Sequence, residues 1–493
     1  MSSVNRAYRI VPVRDLKLRN WAIGGLIIIS LAGFLSFLWG SDLPLSVPFL
    51  YAVYILVTLY VLRFAKTDIF SPLVFFIFFS FLGFGLKLPL LNLFPDMAFF
   101  TNPFYSPRFS YNASALGLAF AVFLIGYIAF IVGFQVVKRG IKVEISERSS
   151  HPLGFVILSL ALIVASFYFR SRYLVGVPGF NVAIVEHAGY IYYPLLYGAL
   201  IATGLTFYSA LIRNSKVYTL IGLILFGIWS LFQALLGWKG GTVHAALFIL
   251  VIYYYVSRYR LRSLKAGIKR SIIAVILLLV VAAVMLYPFI SYYRHAVVMS
   301  SGWVSISALG DFTKITGPDI SQSLGRILQR ASGLDDLMPI MGYFYQGVSV
   351  NLASPPSFFS NLFGMGISPE QFYTWYILGV NPNIITTNAP TGWGALYIYG
   401  GIIGVVIGMV LIGMLSKLLY LTFLSNIRRD GRWIVFYTIF MVNIFLAVVF
   451  EGTMLSYFKK NFIALLVIYS FFIFVVNATH PRLRIKKVLG KMK

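Results

Sequence analysis

Long apolar runs, separated by short polar and basic segments, make up most of the chain. Most of the runs hold about 20 residues, the length that an α-helix needs to cross a hydrocarbon core of about 30 Å. Two of them, 45–62 and 242–257, are shorter. The pattern predicts about twelve membrane-spanning helices, at 21–40, 45–62, 71–92, 116–137, 152–169, 191–212, 218–237, 242–257, 271–290, 394–416, 433–450 and 462–478.

The composition supports a membrane protein. Of the 493 residues, 59% are hydrophobic and 11% are charged, and the mean hydropathy is +0.86. Soluble domains carry about 25% charged residues, so a soluble chain of this length could not hide so much apolar surface. We therefore predict an all-α, polytopic integral membrane protein that forms a single transmembrane domain over residues 1–493. The chain has no cysteine, which excludes disulfides, thiolate metal sites and a cysteine nucleophile.

The net charge of +26 could indicate binding to nucleic acid, but the positions of the basic residues favour another interpretation. By our count, 29 of the 40 Lys and Arg residues fall in alternate polar segments, namely 1–20, 63–70, 138–151, 213–217, 258–270, 417–432 and 479–493. Cytoplasmic loops of membrane proteins carry such an excess. The pattern predicts a multi-pass protein of the cytoplasmic (inner) membrane, with both termini in the cytoplasm and no nucleic-acid partner.

One loop is far longer than the others. Residues 291–393 lie between the ninth and tenth predicted spans, on the predicted outer side of the membrane. The loop is rich in aromatic and apolar residues, so we expect short helices that pack on the membrane surface or on the spans. Within it, 319–331 has the residue spacing of an amphipathic helix.

Few ionisable residues fall inside the predicted spans. Lys87 and Glu451 lie near span ends. Ion-coupled transporters usually carry carboxylates or histidines at mid-membrane, so this pattern is unfavourable for that class. The sequence contains no Walker motif and no His-Glu-x-x-His or Cys/His cluster. We therefore expect neither ATP hydrolysis nor a metal or other cofactor.

Several cations fall on the predicted outer side of the membrane. They are Arg172, Lys239, Arg294, Arg326 and Arg330. Guanidinium and ammonium groups beside a bilayer suit a lipid-linked phosphate or diphosphate. A cation at a helix end is as often an anchor that extends to the interface. The sequence leaves both interpretations open.

Two short motifs and the overall layout resemble the bacterial oligosaccharide repeat-unit polymerases, the Wzy or O-antigen polymerase group, which is related to the O-antigen ligases. The segment 236–242 resembles a Gly-x-Arg-Gly turn, with Lys239 where arginine is usual. The segment from Asn388 through Tyr397 to Gly404 resembles the Pro-x-x-x-Gly … Tyr-x-x-Gly-x-x-Gly entry into the span after the large loop. The histidine that some members carry before the proline is absent here.

The resemblance implies an enzyme of polysaccharide or lipopolysaccharide biosynthesis, a glycosyltransferase that joins undecaprenyl-diphosphate-linked oligosaccharides without a metal. His295 is the first candidate for the general base, and Asp335 and Asp336 are the next. The candidates for binding substrate are Lys239, Arg294, Arg326, Arg330, Arg172, Asn388 and Tyr397. A chain-length regulator is a possible partner. Two alternatives stay open: a ligase that uses the same donor, and a flippase or exporter of lipid-linked oligosaccharide.

Overall fold

The computed structural model describes residues 13–38, 44–64, 68–93, 113–137, 151–173, 182–235, 241–259, 264–299, 333–345, 355–362, 366–379, 390–427, 429–452 and 458–478. Within these ranges the chain is helical and contains no β-strand, which confirms the predicted all-α class. The amphipathic helix predicted at 319–331 lies outside the described residues.

The helices follow one another in the predicted order. They are α1 (Val13–Leu38), α2 (Ser46–Phe64), α3 (Pro72–Ser80), α4 (Lys87–Leu93), α5 (Ala113–Val136), α6 (Pro152–Tyr173), α7 (Val182–Arg213), α8 (Lys216–Leu235), α9 (Gly241–Tyr259), α10 (Ala266–Met299), α11 (Leu334–Tyr345), α12 (Phe358–Leu362), α13 (Pro369–Phe372), α14 (Thr391–Ile427), α15 (Trp433–Ile439) and α16 (Phe458–Ala478). In the described part of the chain, four π-helical segments interrupt them, at Phe81–Gly85, Tyr373–Ile377, Phe440–Phe445 and Ala447–Glu451.

Ten helices in the described part of the chain are long and apolar enough to cross a membrane, and two further apolar helices, Ile23–Phe37 and Leu465–Ala478, are shorter. Each predicted span coincides with one of these helices. The two short runs are helical too, as Ser46–Phe64 and Gly241–Tyr259. The chain is therefore a multi-pass membrane protein.

The internal contacts group the chain into two compact units. The first comprises Met1–Val143, Ser305–Leu424 and Asn443–Lys459. The second comprises Glu144–Val304, Ser425–Val442 and Lys460–Lys493. The prediction of one transmembrane domain stays a prediction.

Hydrogen bonds between helix ends agree with the predicted alternation of sides. In the first unit, the hydroxyl of Tyr420 donates to Asp68 at 2.7 Å, and both residues belong to predicted cytoplasmic segments. In the second unit, the amide of Lys265 donates to the side chain of Asn214 at 3.1 Å, again between two such segments. Which side faces the cytoplasm stays a prediction.

The second unit has a core of closely packed apolar helices. A Cβ on Gly204 of α7 would lie 2.6 Å from Val435 of α15, so only glycine allows this approach. Tyr255 and Tyr437 meet edge to face at 5.6 Å. The turn before α15 holds a buried ion pair, in which Arg432 donates to both carboxylate oxygens of Asp430.

Stacked aromatic rings form the core of the first unit. Phe84 stacks on Phe123 with ring centroids 3.9 Å apart, and Phe76 stacks on Phe130 at 3.8 Å. Trp393 is fully buried between them and lies 5.0 Å from Phe84 and 5.7 Å from Phe76. Offset and edge-to-face ring pairs stabilise such a core beyond the area that they bury.

Helix α14 is broken near its beginning. Gly400 has φ −159° and ψ 23°, and Gly401 has φ 59° and ψ −149°, so neither residue is helical. The backbone of Gly401 lies in a region that only glycine adopts without strain. The break separates a half-helix, residues 391–399, from the spanning part, residues 402–427. The tenth span, which hydropathy predicts at 394–416, therefore begins later than predicted.

The half-helix folds back on the spanning part of α14. A Cβ on Gly404 would lie 2.5 Å from the carbonyl oxygen of Leu396, and one on Gly408 would lie 2.4 Å from its side chain. In a continuous helix, residues twelve apart are about 18 Å apart. A Cβ on Gly126, near the middle of α5, would meet both Trp393 and Val405. Residues 391–399 therefore form a re-entrant half-helix within the depth of the spans.

Candidate functional site

Lys87 begins α4, directly after a change in helix type. Ser71 caps α3, with Pro72 at its first position. The helix then widens into the π-helical segment Phe81–Gly85, closed by the amide of Leu86 donating to the carbonyl of Phe81 at 2.6 Å. A π-helical turn holds more residues than an α-helical turn, so it shifts the face that the following residues occupy, and such segments are frequent at functional sites. Lys87 is 3% exposed.

A helix of the large loop packs on this widened segment. The amide of Gly333 donates to the carbonyl of Gly83 at 3.2 Å, immediately before α11 begins. A Cβ at position 333 would lie 2.2 Å from the ring of Phe84, so glycine is required for this approach. On α11, Leu337 and Met341 are fully buried. The large loop is therefore tied to the end of the third predicted span that is predicted to lie on the outer side.

This docking places a carboxylate against the buried lysine. The Nζ atom of Lys87 lies 2.7 Å from Oδ2 of Asp335, and the two side chains are 4% and 9% exposed. Burial raises the pKa of Asp335 from 3.8 to about 6, although the charge of Lys87 and its hydrogen bond act to lower it. The loss of hydration thus destabilises the carboxylate more than the charge of Lys87 stabilises it.

The neighbouring carboxylate has a different partner. The hydroxyl of Tyr373 donates to Oδ1 of Asp336 at 3.3 Å. Tyr373 begins the π-helical segment that follows α13, a short helix fixed by a capping box between Ser368 and Gln371. Burial raises the pKa of Tyr373 well above its usual value of 10, and the negative charge of Asp336 adds to the effect. Asp336 is therefore positioned by the loop itself.

Aromatic contacts connect this cluster to the re-entrant half-helix. Tyr397, half-buried, meets Phe344 of α11 edge to face at 5.5 Å. Phe344 also stacks on Phe372 of α13 at 6.4 Å. A Cβ on Gly394 would lie 2.5 Å from the side chain of Ile340 on α11. Loop helices and half-helix therefore form one packed layer.

Three of the sequence-predicted site residues, Asp335, Asp336 and Tyr397, belong to this layer. Arg172 lies at the end of α6 in the second unit and is exposed. Arg294 and His295 belong to α10, but their side chains lie outside the described part of the chain. Lys239, Arg326, Arg330 and Asn388 also lie outside the described residues, so their predicted roles stay predictions.

Sequence reasoning identified Lys87 only as an ionisable residue near the end of a span. Its pairing with Asp335 joins two distant parts of the chain, and no local sequence pattern predicts this pairing. One signal was present, because a lone lysine in an apolar run needs a counter-charge when it is buried. Asp335-Asp336 is the only pair of adjacent acids in the predicted outer loop.

Within the described part of the chain, the side chains include no group of three or more His, Cys, Asp or Glu residues that could hold a metal ion. The chemistry available at this site is that of a cation and a carboxylate, screened from water and placed where a loop meets the membrane. Comparison of the chain with protein-family models, with curated proteins and with solved structures finds no match.

Proposed function

We propose that this protein is a glycosyltransferase that polymerises undecaprenyl-diphosphate-linked oligosaccharide repeat units at the outer leaflet of the cytoplasmic membrane, without a metal ion. The observation that carries the proposal is the buried pair of Lys87 and Asp335 under the large loop. A carboxyl group with a pKa of about 6 is close to the working pH that a general base needs. The sequence resemblance supports the choice of substrate.

The chemistry assigns one role to each member of the pair. A sugar hydroxyl of the acceptor attacks the anomeric carbon of the donor glycan, and Asp335 accepts the proton of that hydroxyl. The bond between the anomeric carbon and the diphosphate oxygen breaks, and the lipid diphosphate leaves with the electron pair. Lys87 stabilises the charge on the departing diphosphate, as a preorganised cation does in a site that excludes water.

The test compares two neighbouring carboxylates that differ in their partner. We expect Asp335→Asn to slow polymer formation by about 10²–10⁴-fold, the contribution of a general base. Asp336→Asn is the matched control and keeps most of the activity, since Asp336 accepts a hydrogen bond from Tyr373, whereas Asp335 lies 2.7 Å from the ammonium group of Lys87. The measurement is polymer length on a gel from purified protein and lipid-linked repeat units, with the amount of folded protein determined in parallel.

Wild-type polymer from Asp335→Asn at equal protein level would remove the proposed site. The same assay separates the ligase alternative. A polymerase extends the lipid-linked donor with a second repeat unit, whereas a ligase leaves the repeat unit unextended until a different acceptor is supplied.

The broken helix α14 favours a second candidate, translocation of the lipid-linked oligosaccharide across the membrane. Discontinuous helices with membrane-embedded half-helices are typical of transporters, and residues 391–399 form such an element. Proteoliposomes discriminate the two functions. A flippase moves a labelled lipid-linked oligosaccharide between leaflets without changing its length, and a polymerase lengthens it on one side.

A further inference from the structure

The buried ammonium group of Lys87 has the environment of an anion-binding site. It starts a helix at the outer end of a span and is almost completely screened from water. A carboxylate from the loop, and not from the span itself, lies 2.7 Å away. If the loop helix α11 moves, the carboxylate of Asp335 therefore moves away from Lys87.

The carboxylate is poorly accommodated where it lies. Within the described part of the chain, Oδ1 of Asp335 has no hydrogen-bond partner. The ammonium group of Lys87 acts on it from α4, and the hydroxyl of Tyr373, which donates to the neighbouring Asp336, also interacts with it electrostatically. Leaving the site therefore relieves the loss of hydration that Asp335 suffers there.

We propose that Asp335 occupies an anion-binding site at Lys87 in this structure, and that a lipid-borne phosphate or diphosphate group displaces it on binding. A diphosphate offers more oxygen acceptors to the ammonium group than one carboxylate does, and charge-assisted bonds to phosphate are strong. The released carboxylate then faces water and the acceptor. This inference rests on the proposed function only where it gives the released carboxylate the role of general base.

Equilibrium binding of farnesyl diphosphate to the purified full-length protein tests the exchange, with no acceptor and no turnover. If Asp335 competes for Lys87, then Asp335→Asn tightens binding by about tenfold, the change that about 1.4 kcal/mol of lost competition makes. Lys87→Gln weakens binding by at least about tenfold on the same scale. Asp336→Asn is the matched control, and its dissociation constant stays within about twofold of that of the wild type.

A second measurement guards against variants that fold poorly. Amide hydrogen exchange in 334–345 reports the docking of α11, because exchange follows local opening. In the wild-type protein, farnesyl diphosphate should accelerate exchange in this helix. Unchanged or slower exchange on binding would overturn the displacement. An affinity of Asp335→Asn for farnesyl diphosphate that is equal to or lower than that of the wild type would overturn it as well.

Two competitors identify the source of the phosphate. Competition by phosphatidylglycerol in the bilayer would assign the site to a lipid headgroup, and competition by inorganic diphosphate alone would assign it to a diphosphate. Either result supports the exchange. If neither compound competes with farnesyl diphosphate, the exchange is overturned. The proposed function fails separately, because it fails when polymer formation survives Asp335→Asn, whatever the binding data show.

Discussion

The ammonium group of Lys87 and the carboxylate of Asp335 form a buried ion pair in which the carboxylate is held at a net electrostatic cost. The two charged atoms lie 2.7 Å apart, yet burial still raises the pKa of Asp335 to about 6. A carboxylate kept in such a position is typical of functional sites, where burial and neighbours tune a group to its task. The predictions below follow from this pair and from the broken helix beside it.

The first prediction concerns pH. If Asp335 must be ionised to accept a proton, kcat/KM should rise with pH through about 6 and level off above it. A pH profile of polymer formation measures this, and Asp336→Asn should keep the same inflection. A flat profile between pH 5 and 7 would argue against Asp335 as the base.

The same shift predicts how the docking of α11 depends on pH. Because the pKa of Asp335 is raised on docking, the protonated form binds better, and the stabilisation is lost as pH rises from about 4 to about 6. The protection of the amides in 334–345, expressed relative to their intrinsic exchange rate at each pH, should therefore be greater at pH 5 than at pH 7. In Asp335→Asn this difference should disappear, and its persistence would show that another group titrates.

The re-entrant half-helix predicts a cross-link. The chain has no native cysteine, so a Leu396→Cys/Gly408→Cys variant offers a single pair. The side chain of Leu396 lies 2.4 Å from a Cβ at position 408, within reach of a disulfide. Mild oxidation followed by mass spectrometry should detect the bond. Leu396→Cys/Leu411→Cys, with position 411 on an exposed face, should give none, and no cross-link in the first pair would contradict the fold-back.

The turn of α14 predicts unequal effects of two adjacent substitutions. Both glycines have open space around a would-be Cβ, but only Gly401 has a positive φ. Gly401→Ala should lower the free energy of unfolding by about 1–3 kcal/mol, the cost of a strained backbone. Gly400→Ala should change it by less than about 0.5 kcal/mol. Unfolding in mixed detergent measures both, and equal losses would contradict a backbone strain that is specific to position 401.

The spans and their order could be predicted from the sequence, because a run of about 20 apolar residues forms few stable structures other than a membrane-spanning helix. The break in α14 could not be located by hydropathy, because no charged residue separates residues 391–399 from the apolar run that follows. The signal was local, in Gly400-Gly401, and it was interpreted as part of an entry motif. The pairing of Lys87 with Asp335 depends on tertiary docking, and hydrophobic periodicity carries no information about it.

Charge reversal across the ion pair separates a structural from a catalytic role. In Lys87→Asp/Asp335→Lys the opposite charges still meet, so α11 should dock as in the wild type, measured by amide exchange in 334–345. The base and the cation have exchanged places, however, and we expect polymer formation to fall by about 10²-fold or more. Wild-type polymer from the reversed pair, with α11 docked, would show that Lys87 and Asp335 only hold the loop and would contradict the proposed mechanism.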